Sequence, residues 1–202
     1  MKLYHSGTSP FVRKVMVLLH EAGALDRVVL VPAMGTPLNP DTMPVDRNPL
    51  GKIPALERDD GGVIYDSRVI TRYLDDLLQA RLYPPAPRLW DTLTLEATAD
   101  GMTDAAVLMR YEMHVRPEGS RSAEWAEAQW QKVDRALSAV EAGWTKHLSG
   151  PLDMGQVALG CALGYLDFRM ADRDWRKGRP GLAAWESAFA ARPAMQSTRP
   201  QA

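Results

Sequence analysis

The chain has 202 residues, of which 46% are hydrophobic and 24% are charged, and its formal net charge is −1 at pH 7. A chain of this length can form one large domain or two compact ones, each with a buried core. The near-neutral charge excludes a bulk attraction to nucleic acid or to an anionic membrane, so neither is expected as a partner.

Signals for export or membrane insertion are not apparent in the sequence. Residues 1–7 lack the apolar stretch of about 7–15 residues that is typical of a secretory signal. The longest apolar run, residues 157–166, is interrupted by two glycines and is about half as long as a bilayer span. We therefore expect a cytoplasmic protein. Cys161, the only cysteine, lies in this run, so we expect a buried, inert thiol and no internal disulfide.

The first part of the chain predicts a strand, a helix and a second strand. Residues 2–4 are typical of a short strand, and residues 12–19 place apolar side chains at helical spacing before Gly23. The β-branched run at residues 28–31 predicts a buried parallel strand. This β-α-β order favours two parallel strands joined by a right-handed crossover.

Two further strands and a helix are predicted next. Residues 55–57 and 63–65 have strand character, and the Asp-Asp-Gly-Gly sequence at residues 59–62 is a strong hairpin signal between them. Asp66 and Ser67 then precede apolar residues at helical spacing, which predicts a helix.

The second part of the chain is predicted to be all-helical. The proline-rich residues 83–87 cannot continue a helix and indicate a linker. Apolar residues between 130 and 144 then step by three and four, and Asp153 with Gln156 resembles a capping box. We predict an α/β domain over residues 1–80, a linker over 81–87 and an all-α domain over 88–202.

Ser9 and Ile53-Pro54 are two places where chemistry could occur. Ser9 stands before Pro10 as a helix N-cap, which either satisfies an orphan amide or helps the helix N-terminus to stabilise an anion such as a thiolate. Pro54 comes directly before a strand, and a cis bond there would leave the backbone N–H and C=O of Ile53 free for an extended peptide ligand.

Asp66-Ser67 is the third such place. A carboxylate, a hydroxyl and helix amides meet there, and they either cap the helix or hold an amino-acid-like head group. The spacing of residues 9–14 (Ser-Pro-Phe-Val-Arg-Lys), residues 48–54 (Asn-Pro-Leu-Gly-Lys-Ile-Pro) and Asp66-Ser67 resembles the glutathione transferase family, particularly its serine-type, theta-like bacterial members. The resemblance extends over the linker and the helical part.

This resemblance implies a thioredoxin-like N-terminal domain, an all-α C-terminal domain and a homodimer. It also implies glutathione as co-substrate, no metal, and conjugation of the glutathione thiolate to small apolar electrophiles. In that family Ser9 would donate a hydrogen bond to the glutathione sulfur. Tyr4 is the alternative, because tyrosine-type members keep their catalytic hydroxyl at that strand position.

The remaining glutathione contacts also follow from the resemblance. Lys52 would face the glycyl carboxylate, Ile53 would pair its backbone with the cysteinyl part beside the cis Pro54, and Asp66 and Ser67 would hold the γ-glutamyl end.

Four further residues are assigned in the same way. Asp100 would reach across the dimer to the γ-glutamyl amine of the partner's glutathione. Met109, Met113 and Tyr165 would line the electrophile pocket between the two halves, where methionine suits varied apolar ligands.

Two other functions remain open at this stage. The first is a glutathione-transferase-like binding or assembly module without catalysis, since a fold does not establish a function. The second is a glutathione-dependent isomerase or dehalogenase. Position 9 holds no cysteine, so cysteine-dependent thiol transfer is not expected.

Overall fold

The structure, a computed structural model, describes residues 1–201. It confirms an α/β part followed by a helical part. The strands are β1 (Lys2–His5), β2 (Val29–Pro32), β3 (Ala55–Glu57) and β4 (Val63–Ile64). The helices are α1 (Pro10–Glu21), α2 (Ser67–Leu78), α3 (Arg88–His114), α4 (Ala123–Gly143), α5 (Thr145–Leu148), α6 (Met154–Arg169), α7 (Pro180–Ala190) and α8 (Pro193–Ser197).

The four strands form one mixed sheet in the order β2-β1-β3-β4. Strand β1 is parallel to β2 and antiparallel to β3, and β4 is antiparallel to β3. The predicted parallel pair and the predicted hairpin are therefore both confirmed. The prediction that residues 28–31 form a fully buried strand is wrong, because β2 lies at the sheet edge and Val29 is 64% exposed.

Helix α1 crosses from β1 to β2 and buries one face against the sheet. Ser9 caps its first turn and Pro10 occupies the first helical position, where the missing N–H costs no hydrogen bond. Its apolar residues Val15, Leu18 and Leu19 pack in a core with Leu3 of β1. This packing fixes the N-terminus of α1 beside the carboxyl end of β1.

The residues between α2 and α3, which include the predicted linker 81–87, are held in place by both parts of the chain. The backbone N–H of Leu82 donates to the Asp75 carboxylate at 2.7 Å. The Leu82 carbonyl accepts from the Met154 N–H at 2.9 Å. The assignment of two separate domains stays a prediction, because Leu82 of this segment is hydrogen-bonded both to α2 and to α6.

Helix α6 runs through the centre of the molecule and is buried almost throughout. Its N-cap Asp153 accepts from the backbone N–H of Gln156 at 3.1 Å, as the sequence predicts. The Gln156 side chain donates to the carbonyl of His147 at 3.0 Å instead of returning to the cap, so only half of the capping box forms. Within residues 1–201 no helix combines the length and the apolar character needed to cross a membrane.

The core is continuous across the two parts of the chain. Met154, Val157 and Cys161 of α6 pack in the same cluster as the sheet and α1. The buried position of Cys161 agrees with the sequence prediction, and burial raises the pKa of its thiol to about 11.

Helix α8 closes this core over α1. The Arg13 guanidinium donates to the carbonyl of Met195 at 3.0 Å. Arg192 forms two hydrogen bonds of 2.9 Å with the Glu21 carboxylate.

Candidate functional site

The Ser9 hydroxyl lies at the N-terminus of α1 and is half-buried. Its Oγ accepts the backbone N–H of Val12 at 3.3 Å. The backbone carbonyl of Ser9 accepts from the N–H of Arg13 at 3.0 Å, which anchors the cap in the helix. A hydroxyl that accepts from the backbone still keeps its own proton. Ser9 can therefore cap the helix and donate to an anion at the same time.

The other hydroxyls near the start of the chain are engaged differently. Tyr4 Oη donates to Glu57 Oε2 at 3.3 Å across the β1–β3 pair. Ser6 Oγ and Thr8 Oγ1 lie 3.2 Å apart and share one hydrogen bond with each other. Tyr4 is directed at a carboxylate of its own sheet, so its proton is not free for a ligand unless that contact breaks.

The loop before β3 presents backbone groups of Ile53. The peptide bond between Ile53 and Pro54 is cis, as the family resemblance implies. Asn48 is buried and holds the loop from inside, because its amide donates to the Lys52 carbonyl at 2.8 Å and its oxygen accepts from the Leu50 N–H at 3.0 Å. Within the described residues, no hydrogen bond engages the N–H or C=O of Ile53, which therefore stays free to pair with an extended ligand.

Asp66 and Ser67 open helix α2. Asp66 is the N-cap, and its carboxylate accepts the Arg68 N–H at 2.9 Å. The Arg68 guanidinium approaches the same carboxylate at 3.3 Å and reaches Asp100 of α3 at 3.5 Å. Ser67 is buried at the first helical position. An exposed carboxylate, a guanidinium and free helix amides thus meet at one point, a combination that suits a zwitterionic amino-acid group.

Asp100 is directed into its own chain. Its Oδ2 lies 2.9 Å from Lys14 Nζ, and Glu96 Oε1 lies 2.8 Å from the same ammonium. The Lys14 side chain is only 2% exposed, so it needs both carboxylates as counter-charges. This inward ion pair leaves the predicted contact of Asp100 with a partner's glutathione unsupported.

Asp104, one helical turn beyond Asp100, is a residue that the sequence interpretation missed. Partial burial raises the pKa of its carboxyl, and the nearby charges of Lys52 and Arg68 oppose that rise. Asp104 therefore lies within electrostatic range of Lys52 in the loop before β3 and of Arg68 at the start of α2. Asp100 and Asp104 are four residues apart on α3 and therefore lie on the same helix face, which was the signal available in the sequence.

The predicted electrophile-pocket residues lie in the helical part. Met109 and Met113 line a cleft of about 490 Å³ between α3, α4 and the turn after α6. Tyr165 is buried in the helical core close to that cleft; burial raises the pKa of its hydroxyl, and Arg169 beside it opposes the rise. Met109 and Tyr165 thus also serve as core residues.

Residues 1–201 contain no group of three or more His, Cys, Asp or Glu side chains that could hold a metal ion. The site consists of hydroxyl, carboxylate, guanidinium and backbone groups, whose hydrogen bonds and charges suit a peptide-like ligand.

Comparisons with known proteins agree with this arrangement. Residues 8–77 match the model of the glutathione S-transferase N-terminal domain, and residues 123–187 match that of the C-terminal domain. The chain is 32% identical over 206 residues to the uncharacterized GST-like protein YibF of Escherichia coli (strain K12), covering 99% of this chain and 98% of that protein.

Solved structures are similar over the whole chain. A glutathione transferase family member from Pseudomonas fluorescens Pf-5, with bound glutathione, is 45% identical with a TM-score of 0.95, covering 100% of this chain and 99% of the other. The same family member with bound S-(propanoic acid)-glutathione is 44% identical with a TM-score of 0.90, and each chain is covered completely.

Proposed function

Because the chain belongs to the glutathione S-transferase family, we propose that it is a glutathione transferase that joins the glutathione thiolate to a small electrophile. The observation that carries this proposal is the hydrogen bonding of Ser9. Its oxygen accepts the Val12 N–H while its proton stays free, at the end of α1 where the helix dipole favours a negative charge.

The required activation is within reach of these groups. A free thiol has a pKa of about 8.5, and lowering it by about 2 units, which makes the thiol mostly ionised at neutral pH, corresponds to about 2.7 kcal/mol. One charge-assisted hydrogen bond contributes about 1.5–3 kcal/mol, and a helix N-terminus adds about 0.3–1 kcal/mol. The two contributions together span the required free energy of about 2.7 kcal/mol, so Ser9 and the first turn of α1 can hold a thiolate.

The other groups would orient the tripeptide. The backbone of Ile53 beside the cis Pro54 pairs with the cysteinyl part, and Lys52 faces the glycyl carboxylate. Asp66 and Ser67 take the γ-glutamyl end. In support, Lys52 is exposed without an ion pair among the described residues, and Asp66 is exposed at the N-terminus of α2. Glutathione bound to the Pseudomonas fluorescens relative supports the same use here.

We also propose a homodimer in the cytoplasm. Large apolar side chains remain exposed in both parts of the chain, among them Val69 and Leu77 on α2 and Trp90, 63% exposed, on α3. Burial of such residues against a second copy would remove them from water. Sedimentation at micromolar concentration should give twice the chain mass of 22.4 kDa. Trp90→Glu should shift the protein towards the monomer.

Calorimetry and turnover together test the function. Titration with glutathione should give saturable heat and a raised melting temperature, because a ligand of the native state stabilises it. The bound protein should then convert 1-chloro-2,4-dinitrobenzene or another panel electrophile faster than free glutathione does. No heat at millimolar glutathione would refute the site. Binding without turnover across the panel would instead indicate the non-catalytic module.

A further inference from the structure

A cleft in the helical part carries an unusual set of side chains. It lies between the end of α3, the start of α4 and the turn after α6, and its volume is about 490 Å³. Four arginines line it, namely Arg110, Arg121, Arg169 and Arg173. The only acid in the lining is Asp172, so the cleft has an excess of positive charge.

Three of these arginines, Arg110, Arg121 and Arg169, form no ion pair within the described residues, and two of the three are half-buried. Arg173 is paired with Glu127 at 2.7 Å, and the Nε of Arg121 donates to a backbone carbonyl at 3.0 Å. Arg110 and Arg169, both half-buried, form no ion pair with any residue of 1–201. Arg169 lies 3.9 Å from the centre of the Phe168 ring, which fixes its guanidinium by stacking. Guanidinium groups without a counter-charge thus line one cleft, and that of Arg169 is held by stacking.

The pKa of His114, which also lines the cleft, responds to this positive charge. Partial burial and three neighbouring guanidinium groups of the cleft lower the pKa of His114 below its ordinary value. The positive charge of the cleft comes from its arginines. Planar guanidinium groups match a carboxylate with two parallel hydrogen bonds.

The other walls of the cleft are apolar. Met109, Met113 and Met170 line it together with two alanines of α4. Thioether side chains adapt to flat or irregular apolar ligands. A ligand that satisfies the whole lining therefore has an apolar body and a carboxylate.

We propose that this cleft receives the carboxylate of the electrophile, so that the co-substrates are apolar electrophiles that carry an anionic carboxylate. This rests on the proposed transferase function. Met109 and Met113, which the sequence assigns to the electrophile pocket, line the cleft, and Tyr165, assigned with them, lies beside Arg169. Met109 and Met113 therefore line the positively charged cleft itself, and Tyr165 lies in the core beside it.

A matched pair of electrophiles defines the chemistry of the test. With 4-chloro-3-nitrobenzoate, the thiolate lone pair forms a C–S bond at the ring carbon that bears chlorine. The C–Cl bond then breaks, chloride leaves with the electron pair, and the thiol proton has already gone to solvent. 4-Chloro-3-nitrobenzamide reacts in the same way but carries no charge.

The experiment measures binding of the two chemically prepared glutathione conjugates by calorimetry, so it requires no turnover. The parent protein should bind the carboxylate conjugate at least about tenfold more tightly than the carboxamide conjugate, as expected for a charge-assisted pair. Arg110→Gln and Arg169→Gln should each reduce this preference about tenfold. Neither change strands a buried carboxylate, so both variants should fold, which their melting curves check.

Arg135→Gln, at an exposed arginine of α4 outside the cleft, is the matched control and should keep the preference. Titration with unmodified glutathione separates the two proposals. Equal affinity for both conjugates, or a preference that survives both cleft variants, overturns the carboxylate assignment while glutathione binding still supports the transferase. Failure of the parent to bind glutathione at all overturns the proposed function as well.

Discussion

Replacement of Ser9 by alanine separates the two hydrogen bonds of one hydroxyl. The Oγ that accepts the Val12 N–H at 3.3 Å is lost together with the proton proposed to reach the sulfur. Loss of the cap should lower the free energy of unfolding by about 1 kcal/mol. Loss of the charge-assisted bond should raise the pKa of bound glutathione and lower turnover at neutral pH by about 10- to 150-fold, which corresponds to roughly 1.5–3 kcal/mol.

Two variants make the measurement decisive. Ser9→Thr keeps both the cap and the hydroxyl and should retain most of the thiolate absorbance. Tyr4→Phe removes the bond to Glu57 at 3.3 Å and should change turnover much less than Ser9→Ala. The assay follows the ultraviolet absorbance of the thiolate against pH with glutathione bound. A urea unfolding curve is measured for each protein as well. If Tyr4→Phe abolishes the signal and Ser9→Ala preserves it, the assignment to Ser9 is wrong.

Three other predictions concern the scaffold. Lys14→Met should lower the free energy of unfolding in urea by about 3–5 kcal/mol, because it removes the ammonium from two buried carboxylates and leaves only the 3.5 Å contact of Arg68 with Asp100. Lys2→Met, at an exposed ion pair, should leave the urea midpoint nearly unchanged. Gly160→Ala should cost about 1–3 kcal/mol, since its Cβ would lie 2.6 Å from the Phe189 ring, whereas Gly101→Ala, with open space around it, should gain up to about 1 kcal/mol. Cys161, whose thiol pKa is raised to about 11, should resist iodoacetamide at pH 8 in the folded protein and react in urea.

Local signals in the sequence predicted much of the fold correctly. The serine-proline pair predicted the start of α1, and the Asp-Asp-Gly-Gly turn predicted the β3–β4 hairpin, because caps and turns depend on residues next to each other. Strand β2 was predicted as buried for the same local reason. Its β-branched run identifies a strand, but its position at the sheet edge depends on β3 and β4, which come later in the chain.

The ion pairs and the charged cleft could not be predicted from local sequence signals. In the sequence, Lys14 interrupts the apolar pattern of α1 and would be expected at the surface. It is buried because its ammonium pairs with Glu96 and Asp100, which lie 82 and 86 residues later in the chain. The contact of Asp100 with a partner's glutathione was inferred without that information and stays a prediction. The cleft arginines come from α3, α6 and the segments that flank them, so their convergence appears only when the helices pack.

The hydrogen bonds between α1 and the end of the helical part have a consequence for synthesis on the ribosome. Arg13 bonds to a residue 182 positions later, and Arg192 bonds to Glu21, 171 positions earlier. The helix that carries Ser9 is therefore among the first to leave the exit tunnel and among the last to be fully enclosed. Since such distant contacts form slowly, the nascent sheet should expose part of its apolar surface until about residue 198 has emerged. We expect ribosome-bound chains truncated before Met195 to be digested readily by protease, and chains to which a C-terminal linker long enough to span the exit tunnel has been added to be resistant.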